Sequence, residues 1–503
     1  MLKHPDEAMT ERGRSRFSLD GLPIEPHVEP STLFLGTAPP DGSGASVTVV
    51  RPRSAEEVER LVAWARTRAV PITVLSSPAG PRRRGAAPAD RTLLVDLSRM
   101  KRVFHVDPVD AVAIVEPGLG FAELDRALAP SGLRTFKPLL PRAGKSCLAS
   151  YLEREPFLNV REQWDVLDPL GAGEMVFGTG ERFHTGAAAT PGDREDHWRS
   201  GLRYMTPTGP AVTDFMRVLQ GSQGTLGILT WAAIFCDRLP SVETSLFIGS
   251  GTLEPLLRLC SELDYRRLGH ASFISNRQHL AMLGGAAGTT IDPVDLPAWT
   301  LFVNIAASAE LPQDRHDYEL GDVQALAASE GVEIRSDVGG LAAQSIIDLH
   351  AALPEGSYKD RNLGAHREVF FLTQLDRAPR FTELASQISG KHDYSVADVG
   401  IYIQPRLQGR NCHLEFILPC GPAPSASADR AESFAASFAQ ACCDLGGFFS
   451  RPYGDWTAMA YARNPSLVPF LRQTKSMFDP DGILGPGRLG FDWTQPPEKS
   501  FQA

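Results

Sequence analysis

Apolar and polar residues alternate through SVTVVRP from Ser46, the period-two pattern of a half-buried strand. The next stretch, SAEEVERLVAWARTRAV, begins with a serine in the capping position and sets Val58, Leu61, Val62 and Ala65 on one helical face. PITVLSS predicts a second strand, running straight into the Pro/Gly-rich loop PAGPRRRGAAPAD. TLLVDLSRM and AVAIVEPG predict further strands, and FAELDRALAPSG a helix. From Leu139 to Gly173 the pattern is irregular and rich in Pro, Gly and charge, but Tyr151, Phe157 and Trp164 mark it as a packed, functional loop. EMVFGTGERFHTG predicts a hairpin about Gly178-Thr179-Gly180, and GSQGTLGILTWAAIF a glycine-rich turn feeding a buried strand.

Beyond Pro240 the texture changes. SLFIGSG, TLFVNIAAS, EVFFLTQLD, VGIYIQP and CHLEFILP predict strands, interleaved with the helices RFTELASQIS and RAESFAASFAQACCDLG. A mainly antiparallel sheet covered by helices follows, so the predicted fold class is α+β throughout. The tail PSLVPFLRQTKSMFDPDGILGPGRLGFD is expected to return to short turns. The pattern divides the chain into 1–28, a leader or an arm over a neighbouring subunit, then 29–240, 241–445 and 446–503.

The chain has 503 residues, enough for two or three cores. A net charge of -10 argues against nucleic acid or an anionic membrane as partner. No apolar run is long enough for a bilayer span, and the first twenty residues lack the apolar middle of a signal peptide, so a cytoplasmic location is expected. The seven cysteines form no CxxC pair, which points to buried free thiols rather than disulfides or zinc.

Two loops are candidates for ligand contact. Ser76-Ser77-Pro78-Ala79-Gly80-Pro81 follows a strand, where backbone N–H groups can turn towards a phosphate, although it matches neither GxGxxG nor a P-loop. Gly221-Ser222-Gln223-Gly224-Thr225-Leu226-Gly227-Ile228 offers three glycines for close backbone approach, or else a bulged strand entry.

VLSSPAGPRRRGAAP, TLLVDLSRMKRVFHVD, AVAIVEPGLGFAELDRAL, GEMVFGTGERFHTG, QGSQGTLGILT and FDPDGILGPGRL stand in the order found in the vanillyl-alcohol oxidase/para-cresol methylhydroxylase (PCMH) family, which the chain resembles. The resemblance implies a PCMH-type FAD-binding domain of two α+β subdomains over 29–240, a cap domain with an antiparallel sheet over 241–445, and a C-terminal segment, 446–503, returning to the FAD domain. It implies that Ser76, Ser77, Pro78, Ala79, Gly80 and Pro81 cradle the FAD pyrophosphate. Lys145 and Ser146 would line the other side of the cofactor, and Gly224, Thr225, Gly227 and Ile228 would meet its adenosine half.

GIYIQPRLQGRNCHLEFIL resembles the cap strands that carry a flavin-linked histidine, which makes His413 the matching residue; a strand histidine opposite Glu415 is the plain alternative. The hydroxy-acid dehydrogenase branch holds a metal with two histidines around an asparagine and a later Glu-His. Here Asn411-Cys412-His413 keeps one histidine and Pro452-Tyr453 replaces the second pair, so no metal is expected.

Phenol-oxidising members hold a phenolate with two tyrosines and an arginine. Ser450-Arg451 keeps the arginine, and Arg83 stands where the other tyrosine belongs. Arg83 and Arg451 are therefore candidates for a forked carboxylate clamp, Arg451 the stronger, since Arg83 also reads as part of the solvated run Arg82-Arg83-Arg84 or as a countercharge to the FAD phosphates. The acid–base residue is expected in REQWDVLDPL, at Asp165, with Asp168 competing.

The implied activity is hydride transfer from a small aromatic or benzylic alcohol or alkylphenol to flavin N5. A 2-hydroxy-acid dehydrogenase and a non-catalytic flavin-carrying subunit remain open. Oxygen or an electron-acceptor protein would reoxidise the flavin, and a homo-oligomer is compatible with the family.

Overall fold

The computed structural model describes residues 18–30, 46–77, 92–166, 168–209, 214–308, 310–421 and 425–491. Its first layer is a four-stranded sheet of β1 (His27–Pro30), β2 (Ser46–Val50), β3 (Ile72–Leu75) and β4 (Leu93–Asp96), in the order β1-β2-β4-β3. β2, β4 and β3 run parallel, which requires a crossover, and α1 (Ala55–Arg68) supplies it. Ser54 Oγ caps α1 by accepting the Glu57 N–H at 3.3 Å, and Val58, Leu61, Val62 and Ala65 are fully buried. Ile483 and Leu484, from the far end of the chain, close the same core; the Ile72 N–H donates to Ile483 at 2.7 Å.

A second sheet, β5-β6-β10-β8-β9, holds β5 (Val103–Asp107), β6 (Val112–Val115), β8 (Leu170–Phe177), β9 (Arg182–His184) and β10 (Gly227–Arg238), with β7 (Leu133–Thr135) pairing to β10. α2 (Phe121–Leu128) and α3 (Cys147–Leu152) pack Phe121, Leu124, Leu148 and Tyr151 against one face of it. The third sheet is antiparallel and seven-stranded, in the order β14-β11-β13-β12-β16-β17-β15. Its strands are β11 (Val242–Ser250), β12 (Ala271–Asn276), β13 (Trp299–Ala307), β14 (Glu333–Arg335), β15 (His366–Thr373), β16 (Gly400–Arg406) and β17 (Asn411–Pro419).

Helices α4 (Glu254–Arg266), α5 (Pro312–Ser329), α6 (Ala378–Ser389) and α7 (Ala426–Asp444) cover one face of this sheet, and helices Arg277–Ala286 and Ala343–Ala352 cover the other. Covered on both faces, β13 and β17 are buried almost continuously, which explains why their sequences do not alternate. The expected α+β class is found.

Two expectations about local structure change. The irregular stretch contains α3 and the start of β8, too short a helix for its period to show. The tail holds α8 (Leu467–Phe478), tolerated because Pro469 lies in its first turn, where the missing N–H has no intrahelical acceptor to satisfy. Six of the seven cysteines are buried and all are free. Among the described residues, no helix is long and apolar enough to cross a membrane.

Candidate active site

A cleft opens between the end of β3, α3 and the turn before β10. Val74 and Ser76 line one side, Leu148, Ala149 and Leu152 another, and Ser222, Gln223, Gly224, Gly227 and Ile228 the third; Tyr453 and Arg488 contribute from the C-terminal part. The turn reverses because Gly221, Gln223 and Gly224 all take positive φ, at 84°, 53° and 74°. A Cβ on Gly224 would meet Arg488 Nη1 at 3.8 Å and the Val74 side chain at 4.0 Å, ordinary contact distances, and Gly224 lines the cleft. Gly227 differs: a Cβ there would lie 3.1 Å from the Phe177 ring, so its glycine serves strand packing. Thr225 is fully buried and turns away, its hydroxyl donating to the Ser222 carbonyl at 2.7 Å.

Ser77 and Ser146 are brought together. Ser77 Oγ accepts the Ser146 N–H at 3.1 Å, and Ser146 caps α3 through the Ala149 N–H while donating to the Pro117 carbonyl at 2.6 Å. Pro78, Ala79, Gly80, Pro81 and Arg83 lie outside the described residues. Lys475 went unread in the sequence. Its ammonium donates to the carbonyls of Thr225 at 2.6 Å and Leu484 at 2.8 Å and pairs with Asp479, which in turn accepts the Leu484 N–H at 2.7 Å. The only sequence signal for this tie was the i, i+4 spacing of Lys475 and Asp479.

A second group gathers where the third sheet meets the first two. Arg451 holds its guanidinium carbon 4.3 Å over the Phe370 ring and its Nη1 3.7 Å from Glu155 Oε1. Glu155 also pairs with Lys145 and accepts the Ser150 hydroxyl at 2.6 Å. Burial opposes its ionisation, yet Lys145 and Arg451 hold its carboxyl below the usual range. Arg406, at the end of β16, is 3% exposed and its Nε has no hydrogen-bond partner among the described residues. Burial, with Arg451 and Arg154 nearby, pushes its pKa down to about 9.

His413 lies on β17 against Phe370 and Tyr402, with Nε2 3.4 Å from Glu415 Oε2. Burial pushes its imidazole down to about 4 against the pull of Glu415, so it is neutral near pH 7. Asp165 pairs with Arg217 at a partly exposed position. Asp168 Oδ2 accepts the N–H groups of Trp164 and Asp165, each at 2.7 Å, which makes it a turn-building carboxylate. Among the described residues, no three His, Cys, Asp or Glu side chains cluster as metal ligands.

Residues 47–147 match the family model of the FAD binding domain. Over most of its length the chain has the fold of 4-ethylphenol oxidase from Gulosibacter chungangensis (TM-score 0.72, 17% identity, covering 88% of this chain and 89% of that one). It likewise has that of p-cresol methylhydroxylase (TM-score 0.70, 16% identity, covering 97% and 94%). The chain is an FAD-dependent oxidoreductase that shares its fold with p-cresol methylhydroxylase. Among curated relatives, this flavoenzyme is similar to a D-2-hydroxyglutarate dehydrogenase of Stutzerimonas stutzeri, 21% identical over 461 residues, covering 88% of this chain and 91% of the relative. An uncharacterized FAD-linked oxidoreductase of Mycobacterium tuberculosis is 22% identical over 481 residues, covering 87% and 89%.

The cleft suits the cofactor of this flavoenzyme. It has an apolar wall in α3, and the bare backbone of Gly224 faces it. Of the residues expected to contact FAD, Ser76, Gly224, Gly227 and Ile228 line the cleft, while Ser77 and Ser146 brace its edge. Lys145 is turned to Glu155 and thereby to Arg451.

Proposed function

We propose that this flavoenzyme removes a hydride from a small substrate that carries a hydroxyl on the reacting carbon and an anionic group beside it, a 2-hydroxy acid. The observation that carries this reading is the excess of positive charge around Arg406. Arg451 and Arg154 both lie near enough to act on its guanidinium, and the carboxylate that Arg451 meets, Glu155, is already shared with Lys145. Such a group calls for a further anion, and guanidinium forks suit a carboxylate. Likeness to the D-2-hydroxyglutarate dehydrogenase over most of the chain supports the same reading.

Bound in the cleft, FAD supplies the hydride acceptor. Arg451 orients the anionic end of the substrate, and the rings of Tyr453 and Trp456, each packed on Phe370, keep water from that side. Asp165 is the proposed acceptor of the substrate hydroxyl proton at its carboxylate. Its loop is tied to the turn after β16, where the Leu407 N–H donates to Gln163 Oε1 at 3.1 Å. Oxygen or an acceptor protein completes the cycle.

A second reading, oxidation of an alkylphenol or benzylic alcohol, is favoured by the aromatic wall and by the fold shared with 4-ethylphenol oxidase. Anaerobic titration of the flavin absorbance with glycolate, D-lactate, vanillyl alcohol and 4-ethylphenol separates the two, since only a substrate bleaches it. Arg451→Ala is expected to raise KM for that substrate far more than Asp165→Asn does. Small and equal effects would remove both assigned roles.

A further inference from the structure

Arg406 is the one residue of this group whose position the chain maintains against cost without an evident return. Its side chain is 3% exposed, its Nε is unpartnered, and among the described residues no carboxylate pairs with it. A guanidinium carries five donors and stays charged, so burying it beside Arg451 and Arg154 is unfavourable unless an anion arrives. The backbone nevertheless holds it firmly. Leu407 and Gln408, the next two residues, both adopt positive φ, at 50° and 56°. Non-glycine residues keep such conformations where the surroundings impose them. Here Gln163 Oε1 takes the Leu407 N–H, and Gln408 Nε2 donates to the Arg161 carbonyl at 3.5 Å.

Resting on the hydroxy-acid reading above, we propose that Arg406 is the specificity-determining residue of this site. With Arg451 it receives the substrate carboxylate, so that the enzyme takes 2-hydroxy carboxylates and refuses their uncharged counterparts. Glu155 cannot take that place, being engaged by Lys145, Ser150 and Arg451. His413, neutral near pH 7, adds a hydrogen-bonding ring but no countercharge.

The test uses the flavin-loaded full chain and a matched pair of probes, mandelate and mandelamide, which differ in charge and hardly in shape. Binding is read by calorimetry and by perturbation of the flavin spectrum. Wild type is expected to bind mandelate at least about tenfold more tightly than mandelamide, and Arg406→Met to bring the two within about twofold at unchanged flavin content. Arg406→Lys, which keeps the charge without the fork, should retain part of the preference. An unchanged preference in Arg406→Met overturns the proposal, as does loss of flavin from both variants, which would make Arg406 a cofactor or folding residue. It also falls if wild type binds none of glycolate, D-lactate or mandelate. In that case bleaching by 4-ethylphenol or vanillyl alcohol leaves the flavoenzyme reading standing with the phenol alternative. Carboxylate binding by a chain that takes up no flavin would instead support Arg406 and sink the oxidoreductase reading.

Discussion

Arg451 Nη1 stands 3.7 Å from Glu155 Oε1, joining the segment after α7 to the loop after α3. Because Glu155 also holds Lys145, one carboxylate ties Lys145, before α3, to Arg451.

Glu155→Gln leaves both cations without their shared countercharge. Removing one member of a buried ion pair costs on the order of 3 kcal/mol, which should lower the apparent Tm of the holoenzyme by roughly 5 °C. Thermal melting followed by flavin fluorescence checks it; an unchanged Tm would show that the pairing is not maintained in solution.

Gly224 and Gly227 are expected to respond differently to alanine. At φ 74° and with only ordinary contacts awaiting a Cβ, Gly224→Ala costs about 1 kcal/mol of strain and puts a methyl into the cleft, so FAD affinity should fall about tenfold with little loss of stability. Gly227→Ala meets the Phe177 ring and should cost about 1–3 kcal/mol of stability. Flavin titration and urea melts of both variants distinguish the two effects.

Lys475→Met leaves Asp479, 1% exposed, without its cation and releases the Thr225 and Leu484 carbonyls. A loss of about 3–5 kcal/mol is expected. Lys475→Met/Asp479→Asn should lose less than the sum of its single variants, as coupled partners do. Strict additivity, measured by urea unfolding, would contradict the tie.

His413 carries a pH signature. Its folded pKa of about 4 lies below the ordinary 6.5. Between those values the unfolded chain takes up a proton that the folded chain refuses, so stability falls as pH drops from 6.5 to 4 and is flat above. Full burial makes this worth about 3 kcal/mol. His413→Gln should therefore narrow the gap between urea midpoints measured at pH 7.5 and 4.5, with His279, held down to about 3 by burial, accounting for part of what remains. Acid precipitation of the same proteins tests covalent attachment: flavin in the wild-type pellet and not in the variant's assigns the link to His413, and colourless pellets from both dismiss it.

Local pattern determined a good deal here. The Ser54 cap and the Val58–Ala65 stripe specify α1, and the glycines at 221 and 224 mark the turn that faces the cleft, because each depends on neighbours a few residues away; β2, expected to alternate, is instead buried at Thr48, Val49 and Val50 alike. Distinguishing Gly224 from Gly227 required Phe177, fifty residues back, so no local pattern could do it. Tertiary structure alone decided the charge group. Lys145, Glu155, Arg406 and Arg451 come from four separate segments, and an ion pair or an unpaired guanidinium is a property of distance and burial. The sequence therefore determined the fold class, the FAD binding domain and the turn that lines the cleft. Which arginines face one another, and that Asp165 sits with Arg217, followed only from the packing of the third sheet and the C-terminal segment against the first two.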